Sequence, residues 1–246
     1  MRRFFVPPGS LEREIIIIGG ELHHHMTRVL RLKAGAPVLL ADGEGHEAPG
    51  TIVQVGKESI TIARDGEVLA ESADSGPAIT LYQGVPKGDK LELILQKGTE
   101  LGAAAIVPFQ ADRSVSRIGQ EQRSSKLERW QRIADEAARQ SQRISLPRIS
   151  FAGSLNEVLK SANQSLKLLL WEEERETRLR TVLAGQPPPE SIAVIVGPEG
   201  GLTEKEASQA RETGFVPVSL GSRILRTETA GLAILSILQF HWGDIG

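Results

Sequence analysis

IAVIVGPEGGLTEKEASQA (Ile192–Ala210) reads as a strand, a glycine-rich loop and a capped helix. Ile192–Val196 is a continuous apolar run, the pattern of a strand buried on both faces of a parallel sheet. Gly197–Gly201 holds three glycines and a proline in five residues. Such a backbone can adopt positive φ and approach a ligand closely. Thr203 and Glu206 form a capping-box pattern, with Leu202 spaced to staple against Ala207. A helix that starts there offers unpaired N–H groups over Thr203–Lys205. A tight strand-to-helix turn without a ligand is the alternative for this segment.

The same logic extends on either side. KLLLW (Lys167–Trp171) and VPVSL (Val216–Leu220) are further apolar strands, and AITLYQG (Ala78–Gly84) and AAAIVPF (Ala103–Phe109) precede them. Asp89, with Glu92, is spaced to cap a helix to about Leu101. Ser125 and Glu128 repeat that spacing ahead of Leu127, Trp130, Ala134, Ala137 and Ala138. The last helix, Glu228 to Phe240, is apolar on most sides, which predicts burial in the core or against a partner. In an open parallel sheet, ligands bind beyond the carboxyl ends of the strands. Three such ends carry WEEE (Trp171–Glu174), GPEGG, and LGSRILRTET (Leu220–Thr229). In the last of these, Arg226 and Glu228 sit between apolar strand and apolar helix, Thr227 is a candidate cap, and Ile224 and Leu225 suggest an apolar ligand wall. An ordinary cap with one surface ion pair fits this segment equally well.

The N-terminal part has a different grain. Ile15–Ile18, Pro37–Ala41, Thr51–Val55 and Ser59–Ala63 are short strands, with one helix from His23 to Leu30. A small barrel or closed sheet is the natural reading. The polar stretch Ala70–Pro77 marks a boundary, giving domains 1–72 and 73–246.

Composition removes several function classes. The 246 residues carry a net charge of -2 and no cysteine, which excludes disulfides and thiolate chemistry. No apolar run is long enough to span a bilayer and no export signal is evident, so a cytoplasmic protein is expected. The P-loop, dinucleotide and hydrolase-elbow motifs are absent. His23, His24 and His25 are adjacent, so their side chains diverge on a helix and no metal site is expected. Between Arg113 and Arg148 nine basic residues face four acidic ones, a clustering that phosphate-tracking surfaces need. A solvated helix face is the plainer explanation for that segment alone.

Taken together, RRFFV (Arg2–Val6), HHHMTRVLRLKAG (His23–Gly35), ADGEG (Ala41–Gly45), KGDKLELILQKGTELG (Lys87–Gly102), RW with EAARQSQR (Arg129–Arg143), GPEGGLTEKE and LGSRILRTETA resemble the RsmE family of 16S ribosomal RNA uridine-N3 methyltransferases, within the SPOUT superfamily. The resemblance runs from the first residues to the last helix. It implies a SPOUT-type parallel α/β sheet with a deep C-terminal trefoil knot, preceded by a small PUA-like β-barrel that holds RNA. It also implies a homodimer acting on 16S rRNA of the 30S subunit with S-adenosylmethionine as cofactor. The expected cofactor residues are Leu170, Trp171, Val196, Gly197, Pro198, Gly200, Leu220, Gly221, Ile224, Leu225 and Thr227. Arg226 is the candidate catalytic cation, and Glu199 and Glu228 are candidate bases with nothing in the sequence to choose between them. Arg2, Arg3, Arg28, Arg31, Lys87, Lys97 and Arg113 are the candidate RNA contacts. A relative that only binds ribosomal RNA, or one that methylates transfer RNA, would be the competing identities.

Overall fold

The computed structural model describes residues 1–70 and 76–246. The expected boundary after residue 72 lies outside the described residues. Two compact units result, Met1–Ala73 with Ala138–Leu146, and Asp74–Ala137 with Pro147–Gly246. Ala138–Leu146 groups with the first unit through local bonds: Leu146 N–H donates to the Gly43 carbonyl (2.9 Å), and the Arg3 guanidinium donates to the Gln142 carbonyl.

In the first unit the elements are β1 (Arg2–Phe5), β2 (Ile15–Gly19), α1 (Gly20–His24), a π-helical turn (His25–Val29), β3 (Pro37–Ala41), β4 (His46–Val55), β5 (Ser59–Arg64) and β6 (Leu69–Ala70). The sheet order is β1-β3-β4-β5-β2, with β6 beside β4. Only β1 and β3 run parallel. The four isoleucines of β2 alternate as a strand must: Ile16 and Ile18 are buried, whereas Ile15 and Ile17 are 51% and 71% exposed. The single helix expected over His23–Leu30 is instead this α-to-π junction. Leu30 N–H reaches back five residues to His25, and the Thr27 hydroxyl donates to the His23 carbonyl (2.8 Å), a back-bond that disturbs helical geometry.

The second unit holds β7 (Ala78–Gly84), α2 (Lys90–Glu100), β8 (Ala105–Phe109), most of α3 (Gln120–Gln140), β9 (Arg148–Ile149), α4 (Leu155–Ser161), β10 (Leu166–Leu170), α5 (Leu179–Leu183), β11 (Ser191–Val196), α6 (Glu204–Glu212), β12 (Val216–Val218) and α7 (Thr227–Trp242). Its six strands are all parallel, in the order β12-β10-β11-β7-β8-β9. Apolar runs suit this sheet because both faces are covered. Leu168, Ile192 and Val194 pack with α2 and α7 in one core cluster. Leu169, Ala193 and Ile195 pack with α4 and α6 in another. Successive side chains of each strand thus enter opposite cores.

The capping expectations divide. Thr203 accepts from Glu206 N–H (3.2 Å), the Glu206 carboxylate accepts from Thr203 N–H (2.8 Å), and Leu202 and Ala207 are buried in one cluster. Asp89, by contrast, makes no side-chain cap. Its backbone, at φ -87° and ψ 5°, is not the extended conformation of a capping residue, and the Glu92 carboxylate is taken by Arg129 (2.8 Å). Ser125 lies inside α3, which begins five residues earlier, and its hydroxyl donates back to the Gln122 carbonyl. Thr227 is the first residue of α7 and Arg226 its cap position, so the threonine hydroxyl is available for other work.

These contrasts are measurable. Thr203→Ala should lower unfolding free energy by about 1 kcal/mol, and Asp89→Ala by less than about 0.5 kcal/mol. Urea denaturation of both variants checks the assignment; equal losses would contradict it.

Candidate active site

Register brings three strand ends together. Leu170 of β10 pairs with Val196 of β11 on one side and Val218 of β12 on the other. Trp171, Gly197 and Ser219 therefore leave the sheet along one rim. The loops beyond them, with the start of α7, enclose a cavity of about 790 Å³. Its walls include Leu170, Trp171, Val196, Gly197, Pro198, Leu220, Gly221, Ile224, Leu225 and Thr227 of the expected cofactor set, together with Glu199 and Arg226. Glu228 stands just behind, 3.5 Å from the ammonium of Lys90, which is itself on the wall.

The loop Gly197–Gly201 is fixed by its neighbours. Gly201 N–H closes a turn onto the Pro198 carbonyl (2.9 Å), and Gly201 has φ 68°, a conformation that favours glycine. From below, Gly84 at the end of β7 lets Pro198 approach so closely that a β-carbon there would stand 2.6 Å from the proline ring and its nitrogen. Gly200 is not on the cavity wall. Its α-carbon faces Arg113, whose guanidinium donates to the Gly200 carbonyl (3.1 Å).

Thr227 joins the loop to α7. Its hydroxyl donates to the Gly197 carbonyl (2.6 Å) and accepts from the Gln83 side-chain amide (2.8 Å). Gln83 is fully buried and also donates to the Gly84 carbonyl (3.0 Å). One hydroxyl thus connects three chain segments that are distant in sequence.

The charged groups are ordered around Lys90. Its ammonium donates to Glu199 (2.8 Å), and Lys87 N–H donates to both oxygens of the same carboxylate (3.1 and 3.2 Å). Burial pushes the Glu199 carboxyl up, but the Lys90 hydrogen bond and the backbone N–H donors outweigh it, so it lies below its ordinary value. The Glu199 hydrogen bond in turn raises the Lys90 ammonium above its ordinary value. Arg226 is exposed at the cavity, and Ile224, on the same loop, is 87% exposed.

The candidate RNA contacts are spread out. In the first unit Arg2, Arg28 and Arg31 are exposed, and Arg3 pairs with Glu47 (2.8 Å). In the second, Lys97 pairs with Glu100 (2.8 Å), Arg113 braces the glycine loop, and Lys87 is exposed. None of the seven lines the cavity. Sequence reasoning missed Gln83, Gly84 and Lys90, although the KGDK run that contains Lys90 is visible. It also missed Arg175, Arg178 and Arg223, which surround the cavity from the loops after β10 and β12. The spacing of arginines from Arg175 to Arg180 was the available signal.

Comparison with known proteins places this geometry. Residues 74–239 match the family model described as an RNA methyltransferase domain, and residues 18–63 the one described as an RNA methyltransferase PUA domain. The ribosomal RNA small subunit methyltransferase E of Bacillus subtilis (strain 168) is 36% identical, over 98% of this chain and 97% of its own. The protein of the same name from Rickettsia conorii is 30% identical, over 99% and 98%. A crystal structure of ribosomal RNA small subunit methyltransferase E from Neisseria gonorrhoeae, bound to S-adenosyl methionine, superposes with a TM-score of 0.87 at 32% identity, covering 100% of both chains.

Thr227→Val tests the junction. It keeps the side-chain shape but leaves buried Gln83 and Gly197 groups short of a partner, which should cost about 1–3 kcal/mol. A loss below about 0.5 kcal/mol in chemical denaturation would show that the hydroxyl does not hold these segments.

Proposed function

The chain belongs to the ribosomal RNA small subunit methyltransferase E family of RNA methyltransferases, and we propose that it transfers a methyl group from S-adenosylmethionine to N3 of one uridine in 16S rRNA. The observation that carries this reading is the cavity walled by the GPEGG and LGSRILRT loops at three adjacent parallel strand ends.

The residues present fit such a cofactor. The cavity has the volume of a small-molecule site. Leu170, Val196, Leu220 and Leu225 offer apolar surface for a purine. Gly221, at φ 127° with open space beside its α-carbon, leaves backbone bare for polar contact. When bound, the cofactor would supply a methyl group on a cationic sulfur.

The chain must do the rest. Uridine N3 carries a proton at neutral pH, so a base must take it and a cation must hold the charge that spreads to O2 or O4. Arg226 suits the second task because its guanidinium is always charged and spans two acceptors. For the first, Glu199 is a poor base, since its lone pairs are occupied by Lys90 and Lys87 and its carboxyl is held low. Glu228 is less engaged, since its buried Oε2 has only a longer contact of 3.5 Å to the Lys90 ammonium. We assign Glu228 as the base and Glu199 as the residue that holds the glycine loop to the start of α2.

The finer architecture belongs to the same proposal. Family membership supports a closed PUA-like barrel within residues 1–72, a trefoil knot within 73–246 and a homodimer. Exposure of the apolar side chains Phe240 (71%) and Ile237 on α7 supports a partner there. The 30S subunit would be the substrate particle, with Arg2, Arg3, Arg28, Arg31, Lys87, Lys97 and Arg113 as RNA contacts. Among the described residues no helix is long and apolar enough to cross a membrane, and a cytoplasmic site of action accords with the ribosomal substrate.

Arg226→Ala should reduce methyl transfer to 30S subunits by on the order of 10²–10³, with cofactor affinity by calorimetry nearly unchanged. Leu225→Asp should instead abolish measurable cofactor binding, and methyl transfer with it. Normal turnover in the first variant, or normal cofactor affinity in the second, would contradict the assignments.

A further inference from the structure

The acids and the arginines around the cavity are disposed differently. Glu174 turns inward and accepts from Glu176 N–H (2.9 Å) and Thr177 N–H (2.8 Å). Glu172 lies against Gly201, and Glu199 is held by Lys90. Two of the three carboxylates on the wall are therefore engaged within the protein, and Glu172 is exposed. Arg175, Arg178, Arg223 and Arg226 are exposed, and among the described residues none makes a side-chain hydrogen bond or ion pair. Four exposed arginines thus line one cavity with no ion-pair partner among the described residues.

Two of them also shape a recess. A second cavity of about 280 Å³ adjoins the first, lined by Arg178, Leu220, Gly221, Ser222, Arg223 and Leu225. It brings together an arginine from each of two loops and a serine, beside the Leu220, Gly221 and Leu225 wall of the first cavity. Planar forks with several N–H donors match the oxygens of a phosphodiester. A base that must reach a buried reaction centre leaves its stack, and its flanking phosphates are drawn to the mouth as it enters.

We infer that Arg178 and Arg223 form a phosphate-binding recess for the RNA strand immediately beside the target nucleotide. This rests on the RNA-methyltransferase reading and adds to it two residues that are not among the candidate contacts Arg2, Arg3, Arg28, Arg31, Lys87, Lys97 and Arg113. The recess fixes the strand at the cavity itself. Arg175, three residues before Arg178 and on the wall of the first cavity, adds to the potential that draws the strand in.

The test uses the full-length protein, a short single-stranded oligoribonucleotide containing one uridine, and S-adenosylmethionine. Arg178→Gln with Arg223→Gln should weaken oligonucleotide binding on the order of tenfold near 0.1 M salt. It should also flatten the slope of log affinity against log salt by about 1.4, since each single-strand phosphate contributes about 0.7. Cofactor affinity should stay within about twofold. Arg178→Lys with Arg223→Lys keeps the charge and should restore most of the slope, which separates charge from folding. Unchanged affinity and slope in the glutamine variant would overturn the recess. Lost cofactor affinity with an unchanged salt slope would also overturn it, and would assign the two arginines to the cofactor's own carboxylate. If the wild-type protein transfers no methyl group to 30S subunits and yet the slope falls as stated, the recess stands and the reaction assignment fails.

Discussion

The Thr227 hydroxyl, between the Gly197 carbonyl and the buried Gln83 amide, is the point on which the site depends. A loop of three glycines and a proline has little side-chain packing of its own. Ordering each residue costs about 1–2 kcal/mol of backbone entropy. The hydroxyl offsets part of that cost by tying the loop to the end of β7 and the first turn of α7. Gly84 lets Pro198 sit against the same strand end, and Arg113 braces the far side. Because the loop is held from three directions, its backbone can stay bare on the cavity side.

The same junction orders the charges. α7 begins at Thr227, so fixing that residue fixes Arg226 before it and Glu228 after it. Lys90, from the first turn of α2, then spans Glu199 and Glu228. Two carboxylates near one reaction centre would repel each other. A shared ammonium offsets that repulsion, and Glu199, which has more donors, has its carboxyl held below the ordinary value. Arg175, Arg178 and Arg223 lie outside this arrangement, exposed on the cavity wall.

Much of the frame was legible in the sequence. Apolar runs such as Ile192–Val196 could only suit a sheet covered on both faces, and their side chains do alternate between two cores. The Thr203–Glu206 box was readable because all its bonds fall within four residues. The Asp89 and Ser125 spacings looked the same and formed no cap, since spacing does not report backbone dihedrals or competing partners such as Arg129 for Glu92. Gln83, Gly84 and Lys90 were beyond sequence reasoning for another reason. Their roles come from contacts more than a hundred residues apart, to Thr227, Pro198 and Glu199. Gly200 shows the converse: a glycine that local reading puts on the ligand side faces an arginine instead.

In the proposed reaction this cavity directs a methyl group to one nitrogen of one ribosomal uridine. Nucleoside mass spectrometry of 16S rRNA from cells lacking the protein tests it most directly. The account predicts that N3-methyluridine is missing at a single position. It should reappear when 30S subunits from those cells are incubated with the purified protein and S-adenosylmethionine. A methyl group on a different atom or base, its loss from transfer RNA instead, or an unchanged 16S profile would contradict it.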